Sequence, residues 1–441
     1  MGVDAERPVE RRHPDRWGRG RPRASRTRTF RILSPGAIGA GRGHLACLLA
    51  ASCVFAACTG TRQPRTETLP AHAAAPPSGL KARQVPLFVC FGSDDNGSSG
   101  LEGSGAAGGL HFLTELFAGR RNPNGTGNLA TFDGAPLHYS FYVNTMYLTG
   151  DLGTPAYASL SHEDPMWVKR AWREGVEAGH EIGNHTHSHP HGGEFTADQW
   201  EDEMRRCAEI LERPLADEPA GSPSGLGVPR GSLAGFRTPF LEYADATLTA
   251  AQKEGFAYDC SLEEGTEPDQ DGRNFAWPYR LDGGSPGNPT IGRHPGLWEI
   301  PVYVFIAPPD EACARLGVPP GLRTSLKARK EYFDVSSGKI TGMDWNLWCE
   351  FGMTPAEFLA TIRYTFELRR SGNRAPLTIG LHSDLYSDRQ EDGECAGTPT
   401  ARRAALETLV RFLQEQDIVR IVSARELLGW LRHPAPLDGT D

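Results

Sequence analysis

The chain has 441 residues, of which 39% are hydrophobic and 23% charged. That balance describes a globular protein of one large or two ordinary domains and excludes a multi-span membrane protein. The net charge of −9 understates the acidity of the body. Residues 1–57 hold 11 Arg and 4 acidic residues, which leaves 35 basic and 51 acidic residues beyond them, a net of −16. Such an excess of negative charge argues against nucleic acid as a partner, because counterion release needs cations on the protein.

The first segment reads as targeting. Residues 1–31 are rich in Arg and have no hydrophobic periodicity. The apolar stretch Leu45 to Ala57 is too short to cross a bilayer but suits the hydrophobic region of an export signal. It ends in Val54-Phe55-Ala56-Ala57-Cys58, small residues before a Cys, the shape of a bacterial lipoprotein cleavage site. The expectation is a basic and signal segment over 1–58 and an exported protein of the cell envelope, on the periplasmic or outer surface. Its membrane contact would be a lipid on Cys58, with plain secretion as the alternative. Residues 59–84, rich in Pro, Ala and Thr, read as a flexible tether, and residues 85–433 as the functional domain.

Within that domain the apolar run Pro86–Phe91 predicts a buried strand. Helical spacing follows at Leu110–Phe117, and His138–Val143 reads as a second strand. Trp167–Ala178, closed by Gly179, predicts a helix. Glu181–Asn184 reads as a strand, Trp200–Leu211 as a helix, Ala234–Phe236 as a strand end and Ala244–Glu254 as a helix. Phe256–Asp259 and Trp298–Phe305 are the next strands. Pro355–Arg370 predicts a strong helix, then come strand Leu377–Leu381, helix Ala404–Gln416, strand Val419–Val422 and helix Ala424–Leu431. Strands alternating with helices imply a parallel sheet with helical crossovers. The fold class expected is α/β, a distorted (β/α) barrel of seven or eight parallel strands, with a long irregular insertion from about Ser261 to Trp345 that caps it.

Six cysteines lie outside the signal segment: Cys90, Cys207, Cys260, Cys313, Cys349 and Cys395. No CxxC spacing marks a zinc ribbon. Up to three disulfides or a set of buried thiols are both consistent with that number.

Histidine is concentrated in Gly183-Asn184-His185-Thr186-His187-Ser188-His189-Pro190. In an extended chain His185 and His189 would lie roughly 13 Å apart at about 3.3 Å per residue, too far to share an ion held at about 2.0–2.1 Å from each imidazole. If the chain curls after Asn184, positions four apart share a face and chelate one ion, and His187 points elsewhere. The alternative is a solvated histidine run. At the end of the first strand, Asp94-Asp95 offers one carboxylate as a ligand and the other as a base, or else forms a solvated turn. Thr131-Phe132-Asp133-Gly134 carries a single carboxylate in a Gly-rich loop and reads as a decoy. In Gly235-Phe236-Arg237-Thr238-Pro239-Phe240, an Arg beside a carboxylate keeps it ionised, and the N–H after Pro239 suits an oxyanion donor. His382, at the end of Leu377-Thr378-Ile379-Gly380-Leu381, faces the same rim of a parallel barrel and is placed to protonate a leaving group.

The ordered set Ser-Asp-Asp, His-Thr-His-Ser-His, Arg-Thr-Pro-Phe and Leu-His resembles the polysaccharide deacetylases, the NodB-homology or carbohydrate esterase family 4 group, over about residues 85–432. Phe236–Glu264, Trp277-Pro278-Tyr279, Trp298-Glu299-Ile300-Pro301 and Gly380–Tyr386 look like its chitin-deacetylase-like branch. The resemblance implies a distorted barrel with a metal site at the strand ends. It implies Asp95, His185 and His189 as ligands of a divalent ion, most often zinc (Zn2+), with Co2+, Mn2+ and Ni2+ also compatible with such a donor set. It further implies Asp94 as general base, Arg237 as its orienting partner, His382 as general acid, the Phe240 N–H as an oxyanion donor and Asp344 as the carboxylate that orients His382. The family pattern Thr-Phe-Asp-Asp-Gly is here Gly92-Ser93-Asp94-Asp95-Asn96, and Phe240 replaces a commoner Tyr. The implied function is an exported, monomeric, metal-dependent deacetylase that removes amide- or ester-linked acetyl groups from a polysaccharide or oligosaccharide. A non-catalytic glycan-binding lipoprotein, or a hydrolase of another amide such as a cyclic amide, are the alternatives. The aromatics of the insertion, Trp277, Tyr279 and Trp298, are expected either to stack on sugars or to fill core.

Overall fold

Strand β1 (Leu87–Asp94) is buried at all eight positions, as its unbroken apolar run requires of a strand covered on both faces. The computed structural model describes residues 74–150, 163–214, 225–389 and 395–437. The strands that follow are β2 (Ser140–Val143), β3 (Glu181–Asn184), β4 (Gly235–Phe236), β5 (Tyr258–Asp259), β6 (Glu263–Glu264), β7 (Tyr279–Arg280), β8 (Trp298–Glu299), β9 (Val302–Tyr303), β10 (Phe305–Ile306), β11 (Lys339–Ile340), β12 (Leu377–His382) and β13 (Val419–Ile421). The main sheet runs β12-β1-β2-β3-β4-β5-β8-β7, and β13 also pairs with β1. Within this sheet only the β7–β8 pairing is antiparallel.

The barrel expected from the alternation of strands and helices is therefore present as a curled, mostly parallel half-barrel in a mixed α/β fold. Beyond β8 the sheet continues only as the short antiparallel strand β7 and does not close onto β12. The run Trp298–Phe305, expected as one strand, is divided into β8, β9 and the start of β10, with Pro301, which has no N–H for a ladder, between the first two. Thr378 of β12 bridges the gap: its Oγ1 donates to the Pro301 carbonyl at 2.9 Å and accepts from the Tyr303 N–H at 3.2 Å. Nearby, the Gly380 N–H donates to the Gly342 carbonyl at 2.9 Å. Part of the insertion thus serves as barrel wall as well as cap.

The principal helices span Gly109–Phe117, Pro165–Glu177, Ala197–Glu212, Asp245–Lys253, Pro355–Ser371, Pro399–Gln414 and Ala424–Arg432. Three of them begin in reciprocal capping boxes, Thr196 with Gln199, Thr354 with Glu357 and Ser423 with Glu426, which satisfy N–H groups that a helix start leaves open. Their apolar faces put Trp172, Trp200, Phe366, Leu406 and Leu428 into the core.

Cys349 and Cys395 form a disulfide, while Cys90, Cys207, Cys260 and Cys313 are buried free thiols. Of the segment expected as a tether, residues 74–84 are described and lie against the domain. Asn373 Nδ2 donates to the Ala74 carbonyl at 2.6 Å, and Arg374 Nη1 to the Arg83 carbonyl at 3.3 Å. The signal segment and Cys58 lie outside the described residues. Among the described residues no helix is long and apolar enough to cross a membrane.

Candidate active site

The register of β1 and β12 sets Asp94 and His382 side by side at the ends of adjacent parallel strands. Asp94 is buried, and its Oδ1 accepts from Arg237 Nη1 at 2.8 Å. Arg237 follows β4, and its guanidinium is fixed on several sides. Nε donates to the Cys260 carbonyl at 2.8 Å, Nη1 to the Gly92 carbonyl at 3.3 Å, and Nη2 approaches Cys260 Sγ at 2.9 Å. The guanidinium carbon lies 4.4 Å from the centre of the Tyr142 ring, a cation–π arrangement. A buried ion pair held on this many sides keeps the Asp94 carboxyl directed.

His382 is clamped by Asp344. Its Nδ1 lies 2.8 Å from Asp344 Oδ1, and its backbone N–H donates to Oδ2 at 3.1 Å. Because a carboxylate only accepts, Nδ1 carries a proton and donates it. Burial opposes a charge on His382, but the Asp344 hydrogen bond and charge outweigh it and raise the pKa to about 9.

After β3 the chain curls. Asn184 anchors the curl, donating to the Met204 carbonyl at 2.8 Å and accepting the Thr186 N–H at 2.9 Å. Thr186 has φ +74° and His189 φ +50°, a left-handed conformation that ordinary residues avoid. Thr186 Oγ1 accepts the His189 N–H at 3.1 Å. Glu203 accepts the His187 and Ser188 N–H groups at 3.0 and 2.8 Å and the Ser188 hydroxyl at 2.8 Å. The curl brings His185 and His189 to one face, with ring centres 5.0 Å apart. His187 turns away, its Nδ1 2.9 Å from Thr145 Oγ1.

Asp95 faces this pair. Its Oδ1 is 3.1 Å from His189 Nε2 and 3.6 Å from His185 Nε2. Asp95, His185 and His189 each offer a ligand atom, all within 4.8 Å of one another. The donor chemistry fits a cation. His185 Nδ1 lies 2.7 Å from the Arg237 carbonyl and so carries the proton. Burial pushes the His185 pKa down to about 4, which leaves Nε2 a lone pair facing the Asp95 carboxylate. Two lone-pair groups meeting in a buried site are reconciled by an ion between them.

Residues 129–258 match the family model described as polysaccharide deacetylase. Over that span the chain is similar to the polysaccharide deacetylases. Among solved structures it is similar to a Mycobacterium smegmatis protein described as a polysaccharide deacetylase, at 18% identity and TM-score 0.46, over 83% of this chain and 95% of that one. It is also similar to a family 4 carbohydrate esterase from Streptomyces lividans in complex with acetate, at 17% identity and TM-score 0.24, over 40% of this chain and 64% of that one. A family 4 pseudoenzyme from Bacillus anthracis shares 10% identity at TM-score 0.34, over 78% and 66% of the two chains. A search of the curated proteins found no match.

The matched span contains Thr131-Phe132-Asp133-Gly134 but neither Asp94 and Asp95 nor His382. The geometry separates these carboxylates. Asp133 lies outside the cluster and is structural. It accepts the Thr126, Gly127 and Asn128 N–H groups at 2.8, 3.1 and 3.1 Å and pairs with Arg420, whose Nε and Nη2 are 3.0 and 2.5 Å away.

The departures from the family pattern are accommodated locally. Asn96 and Asp95 both have positive φ, 63° and 64°. Asn tolerates that region better than most side chains, and Asn96 also donates to the Ser93 and Tyr142 carbonyls at 3.0 and 2.8 Å. Ser93 Oγ donates to Asn96 Oδ1 at 2.7 Å and accepts the Ser383 N–H at 3.1 Å, so it ties β1 to the turn after His382.

Asp94, Asp95, His185, His189 and His382 open on one cleft of about 440 Å³. Its other walls are Phe240 and Leu241, both at positive φ, together with Glu263, Thr341, Met343, Trp345 and Asn346. Phe240 stacks on His191 with ring centres 3.9 Å apart. Trp345 is 45% exposed and, with Phe240, brings an aromatic ring to this cleft. Trp277, Tyr279 and Trp298 do not line it. Trp277 is core, and its Nε1 donates to the Asn373 carbonyl at 3.1 Å. Trp345 carries no motif, and its place at the end of the irregular insertion hid it, while Glu263 lies in the stretch Phe236–Glu264 that the resemblance covers but received no role there.

Proposed function

We propose that this domain is a metal-dependent deacetylase of glycans, removing acetyl groups linked through nitrogen or oxygen. The reading rests on one observation: Asp94 and His382, register partners on β1 and β12, share a cleft with the donor cluster Asp95, His185 and His189.

Asp95, His185 and His189 would hold a divalent cation, zinc in the first place, with cobalt, manganese or nickel compatible with two imidazoles and a carboxylate. Such an ion supplies Lewis-acid chemistry when bound, polarising an acetyl carbonyl and making water more acidic. Asp94 accepts the proton of the attacking water, and Arg237 holds that carboxylate in place. As the acetyl carbon becomes tetrahedral, the Phe240 N–H donates to its oxygen. His382, oriented by Asp344, gives a proton to the departing sugar nitrogen, or to oxygen in an ester. The bond to the acetyl carbon then breaks and acetate leaves. Trp345 offers a face for a sugar ring at the rim.

The test is acetate release by the full chain from a panel of acetylated glycans, with zinc and with chelator. Metal-dependent release is expected. Asp94→Asn should keep its zinc and lose turnover. A folded, zinc-loaded protein that binds glycan but frees no acetate would instead establish a binding protein.

We also infer that the chain is exported and monomeric, with the domain over 85–433 linked through 59–84 to a lipid-bearing Cys58. The small residues before Cys58 and the Cys349–Cys395 disulfide, a bond favoured outside reducing compartments, support export. Mass spectrometry of the membrane fraction would find a diacylglyceryl Cys58 at the mature N-terminus. An unmodified, soluble product would remove the anchor.

A further inference from the structure

Beneath the turn that carries Phe240 lie two carboxyl groups with no part in the chemistry above. Asp259 of β5 and Glu299 of β8 are register partners on adjacent parallel strands, and neither is exposed. Asp259 Oδ2 accepts the Ser261 N–H at 3.0 Å, and Oδ1 accepts the Ser261 hydroxyl at 2.8 Å. The same hydroxyl accepts the Thr238 N–H at 2.9 Å. Thr238 begins the turn in which Phe240 and Leu241 hold φ of +56° and +53°. The pair is thus linked through one hydroxyl to a turn held in a strained conformation.

Glu299 differs from Asp259 in its partners. Its Oε1 accepts the Leu262 N–H at 3.2 Å, while its Oε2 is buried and receives no donor among the described residues. The guanidinium of Arg237 is occupied by Asp94, Gly92 and Cys260. Two ionised carboxylates here would leave a buried anionic oxygen unpaired, at a large desolvation cost. A proton on Oε2 removes that charge and turns Glu299 into a donor toward Asp259. Burial and then the Asp259 charge push Glu299 well above the usual carboxylate range. Burial also raises Asp259, to about 6, against the opposing hydrogen bonds from Glu299 and Ser261.

We propose that Glu299 is kept protonated as a hydrogen-bond donor to Asp259, and that this carboxyl pair, acting through the Ser261 hydroxyl, is a positioning device for the Thr238–Phe240 turn. The inference rests on the deacetylase reading for its kinetic test. Asp259 and Glu299 touch no reacting atom; they fix where the Phe240 N–H points.

The experiment uses the zinc-loaded full chain and the variants Glu299→Gln, Glu299→Leu and Ser261→Ala. Gln keeps a donor toward Asp259 and an acceptor for Leu262, so kcat stays within about threefold of wild type. Leu removes the donor and Ala removes the link to Thr238. Each lowers kcat by roughly 10- to 100-fold, below the ~10²–10³ cost of deleting an oxyanion donor outright, with KM and zinc content unchanged. Difference infrared spectra of wild type against Glu299→Gln at neutral pH show a protonated-carboxyl band present only in wild type. Wild-type kcat in both Glu299→Leu and Ser261→Ala would overturn the proposal, as would loss of zinc in either. Equal losses in Glu299→Gln and Glu299→Leu, or no infrared band, would also overturn it. A wild-type protein that releases no acetate would defeat the deacetylase reading, and the infrared test would still decide the proton.

Discussion

The guanidinium of Arg237 occupies the space that a side chain on residue 92 would fill. A Cβ built on Gly92 would lie 2.9 Å from Arg237 Nη2, 3.0 Å from Nη1 and 3.2 Å from Cε2 of Tyr142. The residue that departs from the family pattern two positions before Asp94 thus makes room for the group that pairs with Asp94. Gly92→Ala should push the guanidinium off its seat between Tyr142 and Asp94. The expected result is a loss in kcat of about 10²-fold, the scale of a 1 Å misplacement near reacting groups, with zinc content unchanged. Steady-state kinetics beside metal analysis checks it. A variant with full kcat would show that Arg237 relaxes without moving Asp94.

The His382–Asp344 contact makes a prediction with a sign. A general acid needs its proton, so activity persists below the His382 pKa and falls as pH rises through it. Asp344 raises that pKa. Asp344→Asn removes the charge, so the alkaline limb of the kcat profile should move to lower pH. The overall loss is expected within ~10²–10⁴, the range for general acid–base groups, and larger at alkaline than at neutral pH. An unmoved alkaline limb would assign that limb to another group.

The curl after β3 separates three histidines that are alternate in sequence. His185→Ala and His189→Ala should each lose most bound zinc, measured per chain after dialysis. His187→Ala should keep its zinc while losing stability by about 1–3 kcal/mol, the scale for a buried side chain removed with its hydrogen bond. Loss of zinc in His187→Ala alone would place the wrong pair on the ion.

Asp133 provides the control for Asp95. Its pair with Arg420 is wholly buried, and breaking one side of such a pair costs about 3–5 kcal/mol. Asp133→Asn should therefore lower the denaturation midpoint strongly and leave zinc content at the wild-type level. Reduced zinc in a folded Asp133→Asn protein would give the Phe132-Asp133-Gly134 loop a role in the site.

The parts of this site that could be read in the sequence are those carried by long apolar strands or by fixed spacing. Asp94 and His382 end the two clearest apolar runs, and parallel strands place their ends on one rim. His185 and His189 follow from the four-residue spacing between Gly183 and Pro190. Asp344 has no such frame. It is delivered by the bridge of Met343 to Gly380, and only family resemblance pointed to it. The open side of the sheet was hidden for a related reason. Strands of two residues, such as β6, β7 and β11, leave no periodicity, and the bonds of Thr378 across the gap are tertiary. The Cys349–Cys395 pairing likewise depends on two segments meeting in space, which spacing alone does not encode.

The pairing of Asp94 with His382 has a consequence for how such a site can change. Both stand on neighbouring strands locked in one ladder, whereas two of the three candidate ligands hang on a curl held by Asn184, Thr186 and Glu203. Proton handling therefore rests on the ladder, whereas ion binding is shared between the curl and Asp95 at the end of β1. Substitutions in the curl can retune which ion is preferred without disturbing the ladder. Changes in the ladder would remove base and acid together.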